Sequence, residues 1–278
     1  MKKRFLHLFS LMLALCLPVC ALAATEPNTR TIEDTTTYEG DTIKITIDQW
    51  CYAFNRTNLR FFVANVYVSD PAQMQTAFAG EQYSKNNAEA TSAIAERHDA
   101  ILAINGDYYG AQERGYVLRN GVLYRASAQS GTDALVIGAD GNFRIITEGE
   151  TSADTLVREG AWQVLTFGPA LINGGQVTVS SSDEVGRAMT SNPRTAIGQI
   201  SEGHYLLVAS DGRTKESAGL SLRQLAELMQ SLGAQVAYNL DGGGSSTMVF
   251  QGRVVNNPTT NGRSIRERSV SDIVYIGY

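Results

Sequence analysis

Gly242, Gly243 and Gly244 stand in a row between one apolar run, Tyr238–Leu240, and a second that starts at Met248. Glycine loses more conformational freedom on folding than any other residue. Three together mark a place where the backbone takes positive φ or is closely approached. With strand patterns on both sides, the chain must leave one strand, turn within a few residues and enter another. Asp241 stands at the entrance, and Ser245 and Ser246 at the exit. Successive N–H groups in such a turn form a concavity suited to an anion, and a phosphorylated sugar is one reading. A glycine-rich hairpin loop that merely turns a corner is the other, and composition alone divides the two evenly.

The start of the chain reads as an export signal at 1–23. Lys2, Lys3 and Arg4 precede an apolar run from Phe5 to about Val19, and Ala21–Leu22–Ala23 fits the small-x-small cleavage pattern. The run is shorter than the roughly 20 residues a spanning helix needs, which disfavours a retained anchor. A lipid on Cys20 is disfavoured by the bulk of Val19 before it. Cleavage removes three basic residues and no acidic ones, taking the formal charge from −5 to −8. That balance argues against nucleic acid and against a polybasic membrane surface. Cys16 and Cys20 leave with the signal, so Cys51 has no internal disulfide partner and is expected to be buried. A large apolar core must then hold the fold, and the 43% hydrophobic content can supply it.

Residues 24–41 are polar and Thr-rich without periodicity, and are read as a linker or loose arm ahead of one domain at 42–278. The alternation Ile43, Ile45, Ile47 predicts a half-buried strand, and Asn58–Ser69 a second. Asn87–His98 reads as a helix leading into a strand at Ala100–Ile104. Asn120–Gly121 and Asp140–Gly141 each sit between strand patterns as two-residue hairpin turns. Strands are predicted at Thr195–Ile200, His204–Ala209 and Gln235–Leu240, with others at Thr247–Gln251, Arg253–Asn256 and Val270–Tyr278. The clearest helix is Ser221–Leu232, with Leu222, Leu225, Ala226, Met229 and Leu232 on one face, Ser221 as cap and Gly233 as stop. The class expected is α+β: a single sheet-rich mixed domain with a few helices packed on the sheets.

Several predicted strands begin or end at polar residues: Asn105 and Asp107, Arg194, Asp211 and Arg213, Asp241. Taken singly, each is more readily a turn residue than a site residue. In order, however, Asn105-Gly-Asp-Tyr-Tyr, Phe167-Gly-Pro-Ala-Leu, Asn192-Pro-Arg-Thr-Ala-Ile-Gly, Asp211-Gly-Arg, Asn239-Leu-Asp-Gly-Gly-Gly-Ser-Ser-Thr-Met and Arg266-Glu-Arg-Ser-Val-Ser-Asp form a series. This series resembles the phosphodiester glycosidase family from about Leu102 to Tyr278. The resemblance implies hydrolysis of a sugar joined through its anomeric carbon to a phosphodiester, N-acetylglucosamine 1-phosphate being the type. Bacterial members are commonly linked to exopolysaccharide, and the leader here has a bacterial character.

On that resemblance the catalytic candidates are Asp107 and Asp241, as the carboxylates facing an oxocarbenium-like state, and Arg194, which holds the departing phosphate. A phosphate monoester has a second pKa near ~6, so it leaves with little need of a proton, and a guanidinium can replace much of a general acid. Arg268 is the second guanidinium. Gly242, Gly243, Gly244, Ser245 and Ser246 would cradle the phosphate. Asn105 and Asn239 are candidate sugar contacts, Asn239 because it lies two positions from Asp241 on the same strand face. Asp211 and Arg213 are read as structural, an internal ion pair, with contact to substrate as the alternative, and His98 and His204 as structural. No His/Cys spacing suggests zinc, no Gly-x-Ser-x-Gly elbow or Walker lysine occurs, and no cofactor is expected, with Ca²⁺ or Mg²⁺ a minority option. Two rivals stay open: a phosphoesterase that cleaves P–O, and a non-catalytic envelope module that binds anionic glycans. Sequence does not give the oligomeric state.

Overall fold

The computed structural model describes residues 29–54, 57–180 and 191–278. The expected signal at 1–23 lies outside them. Among the described residues there are three antiparallel-paired sheets, each backed by one helix. The largest orders its strands β1 (Thr29–Glu39), β2 (Ile43–Phe54), β3 (Thr57–Val68), β14 (His204–Ser210), β13 (Thr195–Ser201), β15 (Val236–Leu240), β11 (Ala170–Asn173) and β12 (Gln176–Val177). A second runs β7 (Val122–Arg125), β6 (Val117–Arg119), β10 (Ala161–Leu165), β8 (Asp133–Gly138), β9 (Phe143–Thr147). The third runs β17 (Arg253–Val254), β16 (Met248–Phe250), β5 (Leu102–Asn105), β18 (Asp272–Ile276), β4 (Met74–Phe78).

The period of two along each strand divides its apolar residues between two environments. Ile43, Ile45, Ile47, Leu207, Tyr238 and Leu240 of the large sheet meet Leu135 and Leu165 of the second and Leu102, Ile104, Val274 and Ile276 of the third in one shared core. The opposite faces are covered one helix at a time. α3 (Leu222–Ser231) buries Leu222, Leu225, Ala226 and Met229 against Leu206, Val208 and Ala237 of the large sheet. α1 (Thr91–Arg97) sets Ile94 and Ala95 on Ala103, Val249 and Ile273. α2 (Ala153–Arg158) sets Ala153 and Leu156 on Leu118, Val136 and Val164. Each large apolar side chain so buried contributes about 1.5–3 kcal/mol.

Local signals acted where expected. Ser221 and Gln224 form a reciprocal capping box at the start of α3, and Gly233 takes φ +91° just past its end. Both dipeptides join paired strands: Asn120–Gly121 is the expected two-residue turn, with Arg119 opposite Val122, whereas Asp140–Gly141 lies in a longer one, with Ile137 opposite Phe143. The Thr-rich segment corrects the reading. From Thr29 it is a strand of 11 residues paired along β2, not a linker. Most of its side chains face solvent, so it carries no apolar alternation to announce it. Cys51 is half-buried, where burial was expected. No helix among the described residues is long and apolar enough to cross a membrane.

Candidate active site

The glycine turn follows β15 and lies beside the end of β5. Asn105 ties the pieces together. Its Nδ2 donates to the Asp241 carbonyl at 2.7 Å, while its Oδ1 accepts from Thr195 Oγ1 at 2.8 Å and from the Thr247 amide at 3.3 Å. Asn105 is fully buried and engaged at both ends, and it holds the loop in place.

The three glycines are explained by close approach. A Cβ on Gly242 would lie 2.9 Å from the Pro193 carbonyl oxygen, and one on Gly243 2.9 Å from Arg213 Nη2, with Gly243 also at φ +62°. A Cβ on Gly244 would strike Thr260 Oγ1. The expected nest of amides is largely spent within the chain. Gly242 N–H donates to Asp241 Oδ1 at 2.8 Å and Gly243 N–H to the Pro193 carbonyl at 2.8 Å. The Ser245 and Ser246 amides donate to the Gly242 and Gly243 carbonyls, each at 3.3 Å. A phosphate would therefore meet side chains here rather than a row of free N–H groups.

Those side chains are Asp241, Ser245 and Arg268. Asp241 Oδ2 accepts from Ser245 Oγ at 2.6 Å and from Arg268 Nη2 at 2.7 Å. Arg268 Nε donates to Ser245 Oγ at 2.8 Å. Burial pushes the Asp241 carboxyl above its ordinary range, and Arg268 and Ser245 pull it back. The Asp241 side chain is 10% exposed and that of Arg268 38%, so the pair opens to solvent through the guanidinium. Arg194 lies behind the turn. Its Nε donates to the Leu220 carbonyl at 2.9 Å, and its Cδ would be 3.9 Å from a Cβ on Gly242. Asn239 donates to the Gly168 carbonyl at 2.7 Å, while its Oδ1, like Ser246 Oγ, is buried without a hydrogen-bond partner among the described residues.

Asp107 belongs to a buried network of its own, although Gly106 beside it accepts the Asp241 amide at 3.3 Å. It is fully buried; its Oδ1 accepts from the Tyr109 amide at 3.1 Å and its Oδ2 from the Thr166 amide at 2.8 Å. Arg119 Nη2 lies 2.9 Å from Asp107 Oδ1 and 2.8 Å from Asp272 Oδ2. Burial opposes the Arg119 charge, but the two carboxylates outweigh it and hold the guanidinium above its usual value. Burial pushes Asp272 up to about 7, helped by Asp107 and resisted by Arg119. Of the two carboxylates read from the sequence, Asp107 thus sits in this buried network, and Asp241 sits at the glycine turn beside a partly exposed guanidinium. Arg119 and Asp272 went unread because they meet across 153 residues, although Asp272 closes the Arg266 motif. Asp211 bonds Asn257, and Arg213 bonds Asn192 and the Thr260 carbonyl, so these two do not form the suggested ion pair. His98 meets Glu81 and His204 stacks on Tyr67, both outside the site.

Among the described residues no group of three or more His, Cys, Asp or Glu side chains is arranged to hold a metal ion.

A sequence profile of the phosphodiester glycosidase family matches residues 98–277, well over half the chain. The chain belongs to the phosphodiester glycosidase family. The matched span contains β5, the glycine turn and Arg268. A Bacillus subtilis (strain 168) protein, the SPbeta prophage-derived uncharacterized protein YomE, is 30% identical over 201 residues, 70% of this chain and 31% of that one. Human N-acetylglucosamine-1-phosphodiester alpha-N-acetylglucosaminidase is 28% identical over 176 residues, 58% of this chain and 34% of the human protein. The chain thus spans about a third of the length of these curated relatives. In fold it is similar to the zebrafish N-acetylglucosamine-1-phosphodiester alpha-N-acetylglucosaminidase catalytic domain auto-inhibited by pro-peptide. The TM-score is 0.71 at 21% identity, over 91% of this chain and 89% of that one.

Proposed function

We propose that this protein is an exported hydrolase that cleaves the C1–O bond of a sugar 1-phosphodiester in an envelope or exopolysaccharide glycan. N-acetylglucosamine 1-phosphate is the proposed glycosyl phosphate. The observation that carries the reading is the Asp241–Ser245–Arg268 cluster. It places a carboxylate at the base of the glycine turn and a half-exposed guanidinium directly above it.

The chemistry follows from that stacking. As C1–O breaks, positive charge develops at the sugar, and the bonding electrons go to the phosphate oxygen. Asp241 faces the developing charge. Burial raises Asp241, Arg268 offsets part of that rise, and Arg268 Nη1, which bonds none of the described residues, is the proposed donor to the phosphate. Arg194, the first guanidinium by sequence, is more buried and backs the turn, so the leading contact with the phosphate passes to Arg268. Asn239 Oδ1 and Ser246 Oγ, unpartnered in the interior, are the proposed sugar-hydroxyl contacts, because a buried polar atom left unpaired is costly. Water completes the reaction at C1, and the proposed chemistry calls on no cofactor.

The test is turnover of UDP-N-acetylglucosamine and of the methyl phosphodiester of N-acetylglucosamine in ¹⁸O-water, with and without EDTA. Label in the released sugar, lost in Asp241→Asn, is the expected result. Label in phosphate would make the protein a phosphoesterase, and saturable binding without turnover would make it a glycan-binding module. Loss of activity in EDTA would add a metal to the site.

A further inference from the structure

Tyr108 holds a backbone conformation that its side chain disfavours, at φ +55° and ψ +26°. In that left-handed region an L-residue crowds its own Cβ, and bulky residues seldom enter it. The surrounding network holds it there from both sides. Asp107 Oδ1 accepts the Tyr109 amide across Tyr108, and Asp107 is itself gripped by Arg119 and the Thr166 amide. Gly106 N–H donates to the Asp272 carbonyl at 2.9 Å, and the Gly106 carbonyl accepts from the Asp241 amide at 3.3 Å. The outcome is an exposed ring: Tyr108 is 43% exposed, whereas Tyr109 beside it is fully buried. Strain sustained by a buried network in order to present a side chain is characteristic of functional sites.

The ring stands over the mouth. The Arg268 guanidinium carbon lies 5.7 Å from its centroid. The side chains then form a series outward: Asp241 at 10% exposure, Arg268 at 38%, and Tyr108 beyond it. We propose that Tyr108 is a specificity-determining residue, a platform for the group esterified to the far side of the phosphate. The proposal rests on the glycosidase reading above. With the sugar at Asp241 and the phosphate on Arg268, the next group outward meets the tyrosine face. An aromatic face suits a ring-shaped aglycone, a sugar or a nucleobase, and gives a methyl group little to bind.

The experiment compares kcat/KM for the phenyl and methyl phosphodiesters of N-acetylglucosamine, whose ring or methyl group is esterified directly to the glycosyl phosphate. In Tyr108→Ala the ratio between the two substrates is expected to fall about tenfold, carried by KM on the phenyl substrate, and Tyr108→Phe is expected to restore it. A ratio that stays at the wild-type value, or losses shared equally by both substrates, overturns the platform. Tyr108→Gly, which relaxes the left-handed backbone, gives the same comparison should Tyr108→Ala not fold. If the wild-type protein hydrolyses neither ester, the glycosidase reading fails first. Calorimetry with uridine 5′-monophosphate and methyl phosphate then judges the platform: a loss confined to the uridine ligand supports it, and anything else removes it.

Discussion

Arg119 and Arg268 each pair with an aspartate just past the end of a strand, in motifs of similar vocabulary, yet they sit in opposite settings. The Arg119 side chain is 2% exposed, between Asp107 and Asp272 at 0% and 1%. The Arg268 side chain is 38% exposed and bonds Asp241 with one edge only. In the first group two carboxylates share one guanidinium, and burial raises Asp272 toward neutrality, with Arg119 opposing and Asp107 adding to the rise. In the second, one carboxylate meets one guanidinium, and part of the cation remains open to a ligand. Asp107 and Asp241 accept similar numbers of hydrogen bonds. The lesson is that the exposure of the paired guanidinium, more than residue type, separates the two settings.

The hardest test of that contrast is Arg119→Met, which strands two interior carboxylates. A loss of about 3–5 kcal/mol is expected, read from the urea midpoint. Arg268→Met should cost about 1 kcal/mol or less in the same measurement while removing most turnover. Equal stability losses would erase the distinction. Next comes Asp241→Asn, expected to lower kcat by about a hundredfold or more, whereas Asp107→Asn should lower the midpoint and leave kcat per folded molecule within about threefold. A catalytic collapse in Asp107→Asn with unchanged stability would restore it as a site carboxylate. Ser245→Ala deletes a hydroxyl that donates to Asp241. A hydrogen bond to a charged group is worth about 1.5–3 kcal/mol, and a loss of about tenfold in kcat is expected.

The gentlest probe is pH. Asp272 rises from 3.8 to about 7 on folding, so between those values the folded state binds more protons than the unfolded one. Stability should therefore fall as pH climbs through that window. Asp241 and Asp211, also raised by burial, lean the same way. The urea midpoint is expected to be higher near pH ~5 than near pH ~8, and Asp272→Asn should flatten the profile. A midpoint that climbs steadily toward alkaline pH would show that the buried group is not carrying this charge.

What was readable in the sequence was local. Asn120–Gly121, Asp140–Gly141 and the Ser221/Gln224 cap act within a few residues of themselves, and all did what their chemistry dictates. The Gly242–Gly244 run rightly marked the central turn, although its glycines answer to Pro193, Arg213 and Thr260 pressing on them rather than to an open row of amides. β1 was missed because a strand exposed on most of its length shows no alternation, and α2 because six residues are too few to show a period. The division of labour between Asp107 and Asp241 was illegible for a deeper reason. It depends on Arg119 and Asp272, whose meeting is a product of the finished sheets. The φ of Tyr108 is likewise imposed from outside its own sequence.

The position of β18 has a temporal consequence. This strand fills the gap between β5 and β4, pairing with Phe78 through Asp272 and with Asn105 through Ile273. Its residues pair with partners far back in the chain, and until they dock the third sheet is two fragments and Arg119 lacks one of its counterions. Pairings separated by so much chain form slowly, because the loop entropy is lost before the contacts reward it. Completion of the third sheet, and of the buried Arg119 network with it, is therefore expected to be a late event in folding.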